Sequence, residues 1–242
     1  MNDILLLLLA FVAVSALYAS VGHGGASGYL AIMALASTPV VIMKPTALTL
    51  NLVVSLLGTV LFFRTGHFAW RLFWQFAAVS IFFAYLGGRT DLPPGTFKIL
   101  VAVALAFAAI RLFTTVSSQQ KINSPPVWAI VAAGASIGFF SGLIGVGGGI
   151  FLTPLILICG WADVKTAAAV SAPFIFVNSA AGLLGYPDVA GNLISQWPLY
   201  VGAVVIGGFW GAHWGSRMAK PAHMRSVLAV VLVLAAAKLV LA

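Results

Sequence analysis

The stretch Gly145-Val146-Gly147-Gly148-Gly149, continued by Ile150-Phe151-Leu152-Thr153-Pro154, decides how this chain is read. It lies inside a long apolar run, where each interior Gly disfavours a helix by roughly 1 kcal/mol against Ala. Glycines clustered this densely predict a broken helix at or close to membrane depth. Broken backbone is tolerated there only where protein buries it or where it lines a polar cavity. The same spacing occurs earlier, as Gly22-His23-Gly24-Gly25-Ala26-Ser27-Gly28, 123 positions upstream. Matching breaks in two halves are a sequence pointer to the central site of a transporter.

Composition sets the class. Of 242 residues, 62% are hydrophobic and 7% are charged, whereas a soluble domain needs about 25% charged residues to clothe its surface. The expected fold is therefore an all-α polytopic membrane protein. The formal net charge of +8 is spread singly between apolar runs. That pattern favours membrane anchoring and anionic headgroups over nucleic acid. It also creates a field that attracts anions. The acidic residues number four, all Asp, too few for a cation carrier built on buried carboxylates. One cysteine, Cys159, excludes an intrachain disulfide and a multi-cysteine metal site. The N-terminal apolar run has no basic leader and reaches the first break directly, so it reads as an uncleaved first span.

Working outward from the two breaks, the chain divides into two similar halves. Residues 4–21 form a span, 28–37 a segment too short to cross, and 46–63, 70–88 and 96–113 three more spans. A crossing needs about 20 residues, so the ten-residue segment reads as a half-helix. The polar run around 116–126, ending in Pro125-Pro126, is the linker. Spans at 127–144, 166–185, 198–214 and 227–241, with a short segment at 150–159, repeat the plan. The expected organisation is a first transmembrane repeat (1–115), a linker (116–126) and a second repeat (127–242). Each repeat holds about four transmembrane helices and one glycine-broken half-helix. Further matches at nearly constant displacement, Gly87 with Gly211, Lys98 with Arg225 and Arg111 with Lys238, support an internal duplication. Parallel and inverted arrangements of the repeats both remain open.

The breaks expose backbone N–H groups, and the helix after each break points its positive end at them, a combination that binds anions. Gly22, Gly24, Gly25, Gly145, Gly147, Gly148 and Gly149 are thus candidate binding residues, with close helix packing as the competing role. His23, where the second copy has Val146, is a candidate for anion binding and for proton coupling. A histidine satisfied by a backbone carbonyl is the alternative. Ser27 could add a donor. Asn51 and Ser55 lie one turn apart on one helix face, and Ser171 with Asn178 forms a similar pair two turns apart. Ser179 aligns with Ser55 at a displacement of 124. These polar residues are candidate ligands or interhelical ties. No catalytic motif, cofactor motif or metal-ligand spacing is present.

Two Gly-x-Gly-Gly breaks, each followed by a short apolar segment and then a Ser/Asn-bearing helix, resemble the TauE/SafE family of sulfite exporters and related anion permeases. The second copy, from Gly142 through Gly149 to Leu152-Thr153-Pro154, fits that pattern closely, whereas the first departs from it at His23 and Ala26-Ser27-Gly28. The resemblance implies transport of a small sulfur-containing anion such as sulfite, a sulfonate or thiosulfate. The expectation is a secondary transporter, working in export, in a bacterial cytoplasmic (inner) membrane. Its partners would be the anion, protons and the lipid bilayer. An anion channel and a non-transporting membrane scaffold are the alternatives.

Overall fold

A computed structural model describes residues 2–20, 22–64, 66–113 and 123–215, together with 233, 236, 237 and 240. The described residues form α-helices and one short 3-10 turn, with no strand among them. The helices are α1 (Asn2–Ala19), α2 (Ala26–Leu35), α3 (Val40–Phe63), α4 (Trp70–Arg89) and α5 (Pro94–Phe113), then α6 (Val127–Ile144), α7 (Gly149–Ile158), α8 (Val164–Gly185) and α9 (Trp197–Gly215). The basic loop at 217–225, most of the final span at 227–241 and most of the linker fall outside the described residues.

Helices α3, α6 and α8 are each long and apolar enough to cross a membrane. The outward surface agrees, since Leu6 (69% exposed), Phe82 (59%) and Leu184 (79%) lie bare on three different helices. Apolar side chains so widely exposed require hydrocarbon rather than water around them.

Two short helices sit at the centres of two cores. α2 carries Tyr29, Leu30 and Ala31, all fully buried among residues of α1, α3, α5 and α9. α7 carries Leu152 and Ile156, fully buried among residues of α4, α6 and α8. Each is ten residues long, about 15 Å at 1.5 Å per residue. Their ends are built alike. Ser37 and Gly160 take left-handed backbone after the last turn, with φ of 56° and 65°. The next amides close back onto the helices, Thr38 N to Met33 O and Trp161 N to Ile156 O, both at 2.9 Å. This six-to-one bond satisfies carbonyls that a helix end leaves open.

The halves interleave. α1 packs on α9, α4 on α6 and α8, and α3 on α8 and α9. Small residues let these backbones meet. A Cβ at Gly87 of α4 would run into the Phe139 carbonyl of α6, and one at Gly211 of α9 into the Ala16 carbonyl of α1. Such close crossings hold membrane helices together where no hydrophobic drive exists between them.

One boundary differs from expectation. The sequence places the third span from residue 46 and leaves Lys44 in a loop, yet α3 begins at Val40 and Lys44 is buried. Pro45 cannot donate to the carbonyl four residues earlier. That carbonyl, Val41 O, instead accepts from the Tyr186 hydroxyl at 3.2 Å. The helix can therefore run through the proline without an orphaned acceptor there.

Candidate functional site

The two glycine breaks are built on similar backbones, differing at Gly147, whose φ is 79° where Gly24 stays outside the left-handed region. Gly22 and Gly145 take φ of 76° and 81°, and Gly25 and Gly148 take 99° and 81°. These left-handed values explain the glycines, since a side chain there would meet the backbone. The amide of His23 bonds to Tyr18 O at 2.9 Å, and that of Val146 bonds to Ser141 O at 3.2 Å. Gly25 is the N-cap of α2 and Gly148 the N-cap of α7. Both short helices thus begin with amides turned toward the breaks.

The breaks converge on one side chain, Asn51 of α3. A Cβ at Gly24 would overlap Asn51 Oδ1 and stand 3.0 Å from Ile175 Cγ2. One at Gly147 would overlap Asn51 Nδ2 and stand 3.0 Å from both Ile175 Cγ2 and Ser179 Oγ. Asn51 Oδ1 accepts from the Ala26 amide at 3.3 Å, at the first turn of α2. Its Nδ2 donates to Ser179 Oγ on α8 at 2.9 Å. Asn51 and Ser179 are both fully enclosed. One carboxamide therefore ties the first half-helix to the second half of the chain.

The remaining candidates occupy a wider ring. His23 approaches the start of α7, its Cδ2 3.8 Å from where a Cβ of Gly149 would stand. Ser27 shares a 2.6 Å hydroxyl contact with Tyr18. Tyr29 donates to Gly24 O at 3.0 Å and so braces the first break from behind. Ser171 meets Thr153 of α7 at 2.7 Å. Ser55 bonds to Leu52 O within its own helix at 3.2 Å. Asn178 turns to α4, accepting from Ser80 Oγ at 2.8 Å and donating to Phe174 O at 2.8 Å. Gly24, Gly147, Asn51 and Ser179 are thus brought together, whereas Ser55, Ser171 and Asn178 make other contacts.

Sequence reasoning missed two neighbours of the site. Ile175 is found by carrying the repeat displacement over from Asn51, which lands on it. Lys44 stands out as an isolated cation with apolar sequence on both sides. Its Nζ donates to the Gly88, Gly87 and Thr90 carbonyls at 2.8, 3.3 and 3.3 Å, and lies 5.3 Å from the centre of the Tyr186 ring. Its stem packs on the second break, with Cγ 3.4 Å from a Cβ position at Gly145. At the far end of α7 a cavity of about 270 Å³ is lined by Arg71, Gln75, Asn123, Ser124 and Thr166 among others. Among the described residues no cluster of His, Cys or Asp is arranged to hold a metal ion.

The chain resembles known proteins over most of its length. The family model for the sulfite exporter TauE/SafE matches residues 6–239. "Probable membrane transporter protein y4hK" of Sinorhizobium fredii is 37% identical over 238 residues, covering 96% of each chain. "Probable membrane transporter protein YunE" of Bacillus subtilis is 26% identical over 56% of this chain and 53% of its own. "Probable membrane transporter protein MJ0441" of Methanocaldococcus jannaschii is 32% identical over 36% of this chain and 31% of its own. No solved structure matches the chain significantly. With its apolar outer surface and a family match across nearly its whole length, the chain belongs to the TauE/SafE sulfite exporter family and is an integral membrane transporter.

Proposed function

We propose that this protein is a secondary transporter that exports a small sulfur-containing anion, such as sulfite, a sulfonate or thiosulfate. Transport proceeds by alternating access about the two glycine breaks, across a bacterial cytoplasmic membrane. The observation that carries this reading is the convergence of both breaks on Asn51, where backbone amides, a carboxamide and the Ser179 hydroxyl cluster in full burial. Neutral donors suit a carrier, because they replace an anion's water shell without the strong ion pair that would hinder release.

The duplicated design supports a pair of repeats as the moving parts. Exchanging α1 with α6, α3 with α8 and α4 with α9 converts the α1–α9 packing into α6–α4, and the α3–α9 packing into α8–α4. The Gly87–Phe139 and Gly211–Ala16 crossings are likewise one contact seen twice. A rocking of one repeat against the other about the paired breaks is the motion such a design serves. Proton exchange at His23 would couple that motion to the pH gradient.

The tight closure of Gly24 and Gly147 on Asn51 favours a carrier over an open anion channel. Purified protein in liposomes provides the test. Saturable sulfite or sulfonate efflux that follows an imposed proton gradient is expected. Flux linear in concentration would indicate a channel, and no flux of any such anion would leave a scaffold as the better reading.

A further inference from the structure

The two breaks have similar backbones but not the same occupant. At the first, Asn51 Oδ1 accepts from the Ala26 amide at 3.3 Å, so the carboxamide oxygen already fills the place where an anion would meet α2. Ala26 corresponds to Gly149 at the repeat displacement, and Asn51 corresponds to Ile175. The second break accordingly has an alkyl side chain opposite its first-turn amide, with Ile175 Cγ1 and Cδ1 lying against Gly149. An isoleucine offers no acceptor. The first amides of α7 have no such carboxamide acceptor opposite them, Phe151 and Leu152 bonding instead to Gly148 O, both at 3.1 Å, and helix-start amides need a partner from outside the helix.

A second observation points to a ligand at the same place. Ser141 of α6 faces Gly148, the N-cap of α7, its Cβ 3.5 Å from where a Gly148 Cβ would stand. The Ser141 hydroxyl is fully buried and has no hydrogen-bond partner. A buried hydroxyl without a partner is costly and calls for an explanation, an absent ligand being one. Ser179 adds a further donor. Its oxygen already accepts from Asn51 Nδ2 at 2.9 Å, which leaves its own proton to give.

We infer that a single oxyanion binds at the start of α7, held by the Gly149 amide and the Ser141 and Ser179 hydroxyls, while Asn51 keeps the first break internally closed. The inference rests on the anion-transport reading and assigns its site to one half. The ligand class is a compact group with several equivalent acceptor oxygens, as sulfite and sulfonates present. The first break then serves as a pivot rather than a second subsite.

The test uses the purified full chain with sulfite and with ethanesulfonate, titrated by calorimetry, alongside efflux from liposomes. One anion per chain is expected. Ser141→Ala removes a hydroxyl with no protein partner, so affinity should fall about 10-fold, the effect of losing one hydrogen bond to a charged ligand. The melting temperature should not fall. Ile175→Asn gives α7 the internal acceptor that α2 has, and should weaken both anions by about 10-fold or more. Two anions per chain, or unchanged affinity in both variants while efflux persists, would overturn the single-site inference alone. Absence of binding and efflux of both anions in the unaltered protein would overturn the transport reading together with it.

Discussion

Asn51 of α3 and Ile175 of α8 stand 124 positions apart in sequence, yet both lie against Gly24 and against Gly147. α3 and α8 thus bring an amide and an alkyl group to one shared centre. The amide accepts from the Ala26 donor at one break, and the alkyl group offers no acceptor at the other. Two helices can in this way share a centre while differing in the chemistry that they present.

The two asparagines should separate by phenotype. Asn51→Ala removes one bond to α2 and one to Ser179, a loss of about 1–3 kcal/mol at 0.5–1.5 per bond. Transport should fall with stability, because the lost bonds lie at the meeting point of the breaks. Asn178→Ala breaks contacts with Ser80 and Phe174 instead. Its melting temperature should drop while the concentration for half-maximal efflux stays constant. A change in that concentration without a drop in melting temperature would return Asn178 to the binding site.

Gly147 allows a sharper comparison. Its φ is +79°, and a Cβ would strike Asn51 Nδ2. Gly66 has a similar φ of +74° but open space around it. Both Ala variants carry backbone strain of order 1 kcal/mol, and Gly147→Ala alone meets a side chain. Efflux should be abolished in Gly147→Ala and nearly retained in Gly66→Ala, at equal amounts of inserted protein. Equal activity in the two would detach the break from transport.

Much of this organisation is legible in the sequence, because glycine and proline mark breaks and ends by backbone chemistry alone. The span expected at 127–144 coincides with α6, and the two half-helices lie within two residues of their expected starts and ends. The start of α3 differs from its expected place because Lys44 and Pro45 read as loop residues, and only tertiary contacts show that carbonyls at the end of α4 take up the Lys44 donors and that the Tyr186 hydroxyl bonds the Val41 carbonyl that Pro45 leaves open. Side-chain direction was less accessible. Asn51 and Asn178 look alike on a helical wheel, but one turns to the breaks and the other to α4. Helix rotation is set by packing against neighbours, which spacing within one helix does not encode.

His23 offers a test of proton coupling. It approaches the first turn of α7 through its ring edge, and histidine is the side chain that changes charge between roughly pH 5 and 8. His23→Gln keeps a polar side chain but cannot take up a proton. Efflux by this variant should persist with a flattened dependence on pH. A pH profile identical to that of the unaltered protein would remove His23 from the coupling step.

Asp163 gives a prediction for acid. It caps α8, accepting from the Thr166 amide at 2.7 Å. That amide holds its carboxyl below the usual aspartate range. A depressed folded-state value means that the cap's ionic contribution is complete above the unfolded value near ~3.9 and fades as pH falls through the folded one. Asp163→Asn should keep the cap and lose this acid sensitivity. Asp163→Ala should cost about 0.5–2 kcal/mol at neutral pH. Melting curves of the three proteins in detergent from neutral pH downward will show whether the gap between Asp and Asn closes in acid, as this assignment requires.

Lys44 and Ala168, also 124 positions apart in sequence, contrast in the same way. Lys44 lies against Gly145 as Ala168 lies against Gly22. The ammonium group has three N–H donors, and three carbonyls at the end of α4 lie within reach: Gly87, Gly88 and Thr90. A cation at a helix C-terminus also meets the negative end of the helix dipole. The burial of Lys44 is therefore offset locally, and its role is to fix the end of α4 beside the second break. Lys44→Met retains most of the stem's packing and removes every donor. The Gly87 and Gly88 carbonyls it leaves are buried with α3 still in place, so a loss of about 1–3 kcal/mol is expected. Hydrogen exchange at the last turn of α4 should rise, while affinity for sulfite should change by less than about threefold, under 0.7 kcal/mol. If instead the melting temperature holds and sulfite binding collapses, the ammonium acts on the anion itself, and the end of α4 is merely where it rests.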